Sequence, residues 1–450
     1  MRGSVNCKLE VLTPSVFLAG NATRAYSFVR SRNAATRSWT DGRVVYVSVH
    51  MLLVSVGVPS MVWGGALAAG AELARASRKP LPPPVDDALP DSNPKIVEAY
   101  AALNPRARMT PYSFDLPSTI PPPGYVDVEI SHCGLCHSDI HQIDDAWGVA
   151  CFPLIPGHEI VGTISAVGAE VNGFAVGDRA AIGVQRGCCC DCSSCDAGLE
   201  NVCAKITKTY AGPGKDKGGF AKMIRYPASW VFSPPASLAP EVVAPLMCAG
   251  ITTYSPLKRF IESGVTSKVG IVGIGGLGHV ALQFAKAMLP KGEVVALSRT
   301  EAKEDEARGF GATSFLVTEE AEAMSSAAGS FDLLLNTVSG HPSTLDAYLS
   351  LLKPRGTLVN VGLPSKEKTS NLYLQSVVPS ERMIAGSYLG PYRDYDDMLL
   401  FAAQNGVQPQ VEVVDVAEIN EAIAKVRNNE ARYRMVLRMG ESIEVEGAAT

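Results

Sequence analysis

Cys189, Cys192, Cys195 and Cys203 place four thiols within fifteen residues. Gaps of two, two and seven residues suit a tetrahedral divalent metal. Zn²⁺ takes four thiolates at about 2.3 Å, the short gaps let successive sulfurs converge on one point, and the longer gap lets the loop close. Disulfides are the alternative, but most of the chain reads as an intracellular α/β enzyme, in which thiols stay reduced. Cys188 and Cys190 crowd the first ligand, and only a register starting at Cys189 keeps both short gaps equal. Four sulfurs close the coordination sphere, so such a site is structural and catalyses nothing. It predicts a second metal site elsewhere, with an open position.

Ligand chemistry is dense in Cys133-Gly-Leu-Cys136-His137-Ser138-Asp139-Ile-His141, and Gly157-His158-Glu159 follows Pro156. Cys248 stands far downstream on an apolar stretch. Spacing does not join these three places. Taken singly, Cys248 reads as a small buried hydrophobe, and His158 as a loop histidine with its partners satisfied.

A second chemistry is phosphate binding. Gly273-Ile-Gly275-Gly276-Leu277-Gly278-His279 follows the hydrophobic run Val269–Val272 and opens the helical segment Val280–Met288. Strand before and helix after are what a dinucleotide fingerprint requires: the glycines permit a tight turn, and the helix start faces the pyrophosphate. About twenty residues on, an NAD enzyme places Asp or Glu on the ribose hydroxyls. This chain has Ser298-Arg299-Thr300, with Lys303 beyond. A carboxylate would repel a 2′-phosphate, whereas a hydroxyl and cations can hydrogen-bond it. The expectation is NADP(H), although Glu301, Glu304 and Asp305 also fit Arg299 and Lys303 to the start of a solvated helix.

These groups need a scaffold. At 450 residues the chain exceeds one core and predicts two or three domains. Hydrophobic content of 46% and charged content of 19% are globular values, and a net charge of −5 argues against nucleic-acid binding. Eleven cysteines beside seven histidines favour metal binding. From about Tyr100, short β-rich runs such as Tyr125–Ile130 and Glu159–Val167 are punctuated by Gly and Pro. Between about Gly250 and Gly390, strands alternate with helical segments, the rhythm of a parallel sheet, with Val269–Val272, Val294–Ser298, Phe331–Leu335 and Thr357–Val361 the clearest strands. After Asp394 the pattern returns to mixed helix and strand.

Residues 1–95 differ from the rest. Through Arg43 they are basic and hold only two acids, Glu10 and Asp41. Val44 to Ala71 carries no charged residue, only His50, and is long enough to span a bilayer, though Gly57, Pro59 and Gly64-Gly65 weaken it as a helix. The extension reads first as an organellar presequence, directing the protein to a plastid or mitochondrion. A membrane anchor or a disordered extension on a cytoplasmic protein are the alternatives, and membrane contact follows only if 44–71 is retained.

In order, Cys-Gly-Leu-Cys-His-Ser-Asp-Ile-His, Pro-Gly-His-Glu-Ile-Val-Gly, Val-Gly-Asp, the four-cysteine loop, Cys-Ala-Gly-Ile-Thr-Thr-Tyr-Ser-Pro and Gly-Ile-Gly-Gly-Leu-Gly-His resemble the zinc-dependent medium-chain alcohol dehydrogenases. Within them the chain looks like the cinnamyl-alcohol-dehydrogenase branch and its bacterial aldehyde-reductase relatives. The resemblance runs from about Tyr100 to Leu437 and leaves residues 1–95 outside. It implies an α/β fold: a GroES-like β-rich catalytic domain over 96–248, a Rossmann doubly wound parallel sheet over 249–389, a return to the catalytic domain over 390–440, and a tail over 441–450. It also implies two Zn²⁺ per chain, one catalytic and one structural, a small-molecule alcohol or aldehyde as partner, and a homodimer.

Carried over residue by residue, the resemblance makes Cys136, His158 and Cys248 the catalytic zinc ligands, with the fourth position open. Glu159 becomes a carboxylate able to approach the metal, and Asp139 the acceptor that orients His158. Ser138 matches a relay hydroxyl, His141 an imidazole passing protons to solvent, and His137 a position near the cofactor pyrophosphate. Thr252, Val338, Val361 and Ser387 match cofactor-lining positions, and Trp147 and Phe152 lie where the family builds its substrate pocket. Cys133 and Cys151 remain ordinary thiols. The implied reaction interconverts primary alcohols and aldehydes by hydride transfer to or from NADP(H), with zinc as Lewis acid. A zinc-free quinone-reductase-like relative would lack Cys136 and the four-cysteine loop. A non-catalytic or membrane-tethered binding protein would have lost a ligand.

Overall fold

The computed structural model describes residues 94–210, 217–262, 264, 266–339, 345–367, 371–440 and 443. The expectations for residues 1–93 lie outside these. No helix among the described residues is long and apolar enough to cross a membrane.

Six strands form a wholly parallel sheet in the order Ser314–Val317, Glu293–Ser298, Lys268–Val272, Phe331–Asn336, Leu352–Asn360, Met383–Gly386. In chain order this is 3-2-1-4-5-6, the doubly wound arrangement. Its strands are buried on both faces: Val294 and Ala296 enter one hydrophobic cluster, Val295 and Leu297 another. That follows from the period of two along a strand covered on both sides. The strand order reverses between Lys268–Val272 and Phe331–Asn336. A crevice for a dinucleotide opens at the carboxyl ends of such a pair.

The helix Gly278–Met288 leaves the first of these strands and buries Val280, Ala281, Phe284 and Ala285. Its apolar stripe packs in the same cluster as Ile251 and Leu257 of the helix Ile251–Ile261.

The second sheet is mostly antiparallel, in the order Val411–Asp415, Arg434–Arg438, Tyr125–Leu135, Glu159–Val167, Arg179–Ile182. Met223–Pro227 also pairs with the first half of Tyr125–Leu135. The second half of that strand, His132 to Leu135, pairs with Arg434–Arg438 from near the chain's end. The strand therefore runs five residues beyond the expected Ile130. Val126, Val128, Ile160, Ile164, Ile182 and Phe220 belong to the core beneath this sheet. The α/β expectation holds in both halves. Phe152, expected at the substrate pocket, instead packs against this core.

Candidate metal centre and cofactor cleft

Cys136 closes the strand Tyr125–Leu135 and caps the short helix His137–Ile143. Its Sγ accepts from the Ser138 backbone N–H at 3.4 Å, and its own N–H donates to Asp139 Oδ2 at 2.9 Å. This reciprocal cap fixes the thiol at a helix N-terminus, where negative charge is favoured.

Asp139 is wholly buried, and its other oxygen gathers three groups. Oδ1 accepts from the Gly157 N–H at 3.0 Å and from the Tyr210 hydroxyl, and lies 3.2 Å from His158 Nδ1. Tyr210 stacks on the His158 ring at 5.8 Å between centroids. Burial pushes the Tyr210 hydroxyl up, so it stays a donor. With Nδ1 held by the carboxylate, His158 presents a buried Nε2 that has no hydrogen-bond partner among the described residues. A buried imidazole nitrogen so placed fits a metal ligand.

Cys248 reaches the same point from Leu246–Gly250, a π-helical turn leading into Ile251–Ile261. Its Sγ lies 3.9 Å from that of Cys136, and one ligand atom each of Cys136, His158, Glu159 and Cys248 fall within 4.8 Å of one another. Two sulfurs bound to one Zn²⁺ at about 2.3 Å stand about 3.8 Å apart in a tetrahedron, so the spacing suits the metal. The Cys248 thiol holds Cys136 well below the usual thiol range despite burial, and itself moves up for the same reason. Burial lowers the His158 imidazole, but Asp139 and Cys136 more than offset it.

Glu159 sits behind this trio. One oxygen bonds the guanidinium of Arg434, and the other, Oε2, is buried with no hydrogen-bond partner among the described residues. Burial pushes its carboxyl up to about 7, with Arg434 pulling the other way. A side chain on Gly134 would meet Glu159 Oε2 at 2.0 Å, so only glycine leaves room for this carboxylate. Arg434 also lies against the glycine-rich turn, where a Cβ on Gly276 would stand 3.1 Å from its guanidinium. The sequence reading missed Arg434. Nothing near it in the chain signals the pair, which spans 275 residues. Tyr210 was missed for the same reason.

The four-thiol loop is built differently. Sulfur separations are 3.9 Å for Cys189–Cys195, 3.6 Å for Cys192–Cys195, 3.9 Å for Cys192–Cys203 and 3.5 Å for Cys189–Cys203. All four bracket the tetrahedral edge of about 3.8 Å. Cys188 and Cys190 lie 3.4 Å from each other, outside this set. Their role has no account in the geometry.

Between the two sheets' contributions opens a cleft. Cys136, His158 and Cys248 line it together with Ser138, His141 and Thr252. His137, Leu277, Val361 and Ser387 line it too, while Val338 stands 43% exposed between the lining residues Thr337 and Ser339. His141 contacts the rings of His137 and Trp147, and Trp147 walls the cleft as anticipated. Asp139 and Glu159 act from behind the lining.

The glycine turn sits at the strand-order reversal. Gly273 has φ +85, and a Cβ there would strike Val338 Cγ2 at 2.4 Å, while one on Gly278 would strike the Gly273 carbonyl oxygen at 1.8 Å. Thr337 Oγ1 clamps the turn by donating to the Val272 and Gly273 carbonyls at 2.8 and 3.0 Å. A Cβ on Gly275 would meet nothing within 4 Å, which leaves room for a phosphate to approach the backbone there. Ser298 ends the neighbouring strand, followed by exposed Arg299, and Lys303 Nζ donates to the Ile274 carbonyl at 2.7 Å. These three stand around the turn's outer edge.

Comparison with known proteins agrees. Residues 122–236 match the family model described as alcohol dehydrogenase GroES-like domain, and residues 276–404 the zinc-binding dehydrogenase model. A probable formaldehyde dehydrogenase, AdhA, of Bacillus subtilis is 42% identical over 70% of this chain and 90% of its own length. The aldehyde reductase YahK of Escherichia coli is 39% identical over 76% of this chain and 97% of its own. Among solved structures, a cinnamyl alcohol dehydrogenase from Sorghum bicolor matches with a TM-score of 0.73 at 36% identity, covering 78% of this chain and all of that one. The Helicobacter pylori enzyme complexed with NADP(H) matches at 0.71 and 31% identity, over 78% of this chain and all of its own. With both halves matched and a relative above 40% identity, the chain belongs to the zinc-dependent medium-chain alcohol dehydrogenases, in their cinnamyl-alcohol-dehydrogenase branch, and is a zinc-dependent alcohol/aldehyde oxidoreductase.

Proposed function

We propose that the enzyme reduces primary aldehydes with NADPH, using Cys136, His158 and Cys248 to hold the catalytic zinc. The observation that carries this is the buried trio opening into a cleft that Leu277 of the glycine turn also lines, with Ser298 in place of an acid at the end of the neighbouring strand. Bound Zn²⁺ supplies a Lewis acid that polarises a carbonyl, and NADPH supplies the hydride.

The chain's own residues do the rest. Asp139 keeps His158 Nδ1 protonated and its Nε2 turned to the thiols. Thr252, Val361 and Ser387 form the wall against which a nicotinamide can rest. Ser138 Oγ gives its proton to the substrate oxygen as the carbonyl is reduced, and the His141 imidazole restores that proton from solvent. Trp147, Val184 and Leu363 give the cleft an apolar wall that keeps bulk water away. Cys189, Cys192, Cys195 and Cys203 hold the structural zinc. Ser298, Arg299 and Lys303 take the 2′-phosphate.

Initial rates with NADPH and NADH over a panel of primary aldehydes test this reading. NADPH should be preferred at least about tenfold in kcat/KM, the scale of one charge-assisted contact. Comparable efficiencies would sink the cofactor assignment. The edge strand Met383–Gly386 leaves Met383 51% and Ile384 38% exposed, which supports a homodimer and is checked by light scattering. Sequencing the native protein's N-terminus tests whether residues 1–95 are a cleaved presequence.

A further inference from the structure

One cation in the cleft has no use in the reading above. Lys208 lines the same cavity as Cys136, His158 and Cys248. It is half-buried, and among the described residues no hydrogen bond or ion pair engages its ammonium. Its neighbour is the ring of Tyr388, with Nζ 5.9 Å from the centroid, and Tyr388 lines the cavity as well. Burial draws the Lys208 amine down, with no charged neighbour acting on it. An ammonium kept from water without a counter-charge is costly, and the rest of this wall is largely apolar: Trp147, Val149, Val184, Leu363 and Leu389.

Position decides what it can serve. Lys208 lies two residues before Tyr210, whose hydroxyl bonds Asp139 and whose ring stacks on His158. The two Cα atoms are thus at most about 7 Å apart. The cofactor's phosphates belong at the other end, by Gly275 and Arg434. Lys208 therefore stands on the metal side, in reach of the part of a substrate that does not react.

We propose that Lys208 is a specificity-determining residue that binds a carboxylate on the aldehyde substrate, so that the enzyme favours oxo acids over neutral aldehydes of the same shape. This rests on the aldehyde-reductase reading of the site. The ammonium and the carboxylate form a charge-assisted hydrogen bond inside the cleft, supplying the counter-charge that the described residues do not. Tyr388, under the ammonium, keeps the lysine aimed inward.

The test compares benzaldehyde with 4-formylbenzoate, a matched pair, on the full-length enzyme with NADPH. Wild type should favour 4-formylbenzoate at least about tenfold in kcat/KM, mostly through KM. In Lys208→Met that ratio should fall at least about tenfold, and Lys208→Arg should restore most of it. Calorimetric binding of 4-(hydroxymethyl)benzoate against benzyl alcohol should show the same selectivity without turnover, and the same loss in Lys208→Met. Equal efficiencies for the two aldehydes in wild type, or an unchanged ratio in Lys208→Met, overturns the proposal. If neither aldehyde is reduced, the underlying reading of the reaction fails instead.

Discussion

Among the described residues stand two groups of metal-ligand donors, and they are assembled in opposite ways. Cys189, Cys192, Cys195 and Cys203 come from one stretch of chain, stand at the edge of one core, and are in part half-exposed. Cys136, His158 and Cys248 come from a strand end, a turn and a π-helical turn, and all are buried. Cys136 belongs beside the antiparallel sheet, whereas Cys248 leads into the helix that packs on the parallel one. A loop that supplies all four ligands shapes only itself. A site drawing donors from both halves depends on the whole fold, and Cys136, His158 and Cys248 line the cleft. Closure makes the first inert, and openness lets the second catalyse.

Substitution of one thiol in each group is the sharpest way to break that contrast. Cys136→Ala should lower kcat/KM by about 10⁴-fold, the scale of losing a Lewis acid, while leaving the circular dichroism spectrum intact. Cys192→Ala should instead lower the free energy of unfolding by a few kcal/mol, with the surviving folded enzyme turning over within about threefold of wild type. Metal analysis should find each variant short of about one of two zinc ions per chain. If Cys192→Ala lost as much catalysis as Cys136→Ala, the division of labour would be wrong.

Next in size is the buried support of the catalytic group. Arg434→Leu strands the Glu159 carboxylate without its partner and should cost about 3–5 kcal/mol of stability by urea unfolding. Adding Glu159→Gln should recover a large part of that loss. Failure to recover it would mean that Arg434 acts through packing and not through charge.

A smaller effect tests the cofactor side by pH. Burial holds the His279 imidazole at about 4, with its Nδ1 2.9 Å from the Gly275 carbonyl oxygen and its Nε2 accepting from the Gln410 N–H. Unfolded, the same group titrates near 6.5. Between these values the unfolded chain takes a proton that the native one refuses, so stability is full above about 6.5 and falls as pH drops toward 4. Between pH 7 and pH 5 the loss is about 2 kcal/mol. His279→Asn should flatten this slope in chemical denaturation. A slope unchanged by the substitution would place the acid sensitivity elsewhere.

Legibility followed the same divide. The four-thiol loop and the glycine turn were readable because their chemistry is local: ligands recur within fifteen residues, and strand, turn and helix follow without interruption. The catalytic trio was not joined by spacing, and only the resemblance to a family placed Cys248 beside Cys136, 112 residues away. Arg434, Tyr210 and Lys208 carried no such signal. Each is an ordinary residue in the sequence, made particular by what the fold sets against it. Strand ends slipped for a related reason: Ser131 to Leu135 are held extended by pairing with a strand some three hundred residues later. Phe152 was expected at the pocket on position alone, and the core claimed it.

Arg434 deserves a last consideration, because one guanidinium is shared between two occupants. It neutralises Glu159 beside the metal ligands while lying against Gly276, where a dinucleotide's phosphates approach. Whatever charge settles at the glycine turn draws on the same cation that quiets the carboxylate behind the zinc. Thermodynamic reciprocity then binds the two equilibria together: the factor by which bound dinucleotide changes metal affinity must equal the factor by which metal changes dinucleotide affinity.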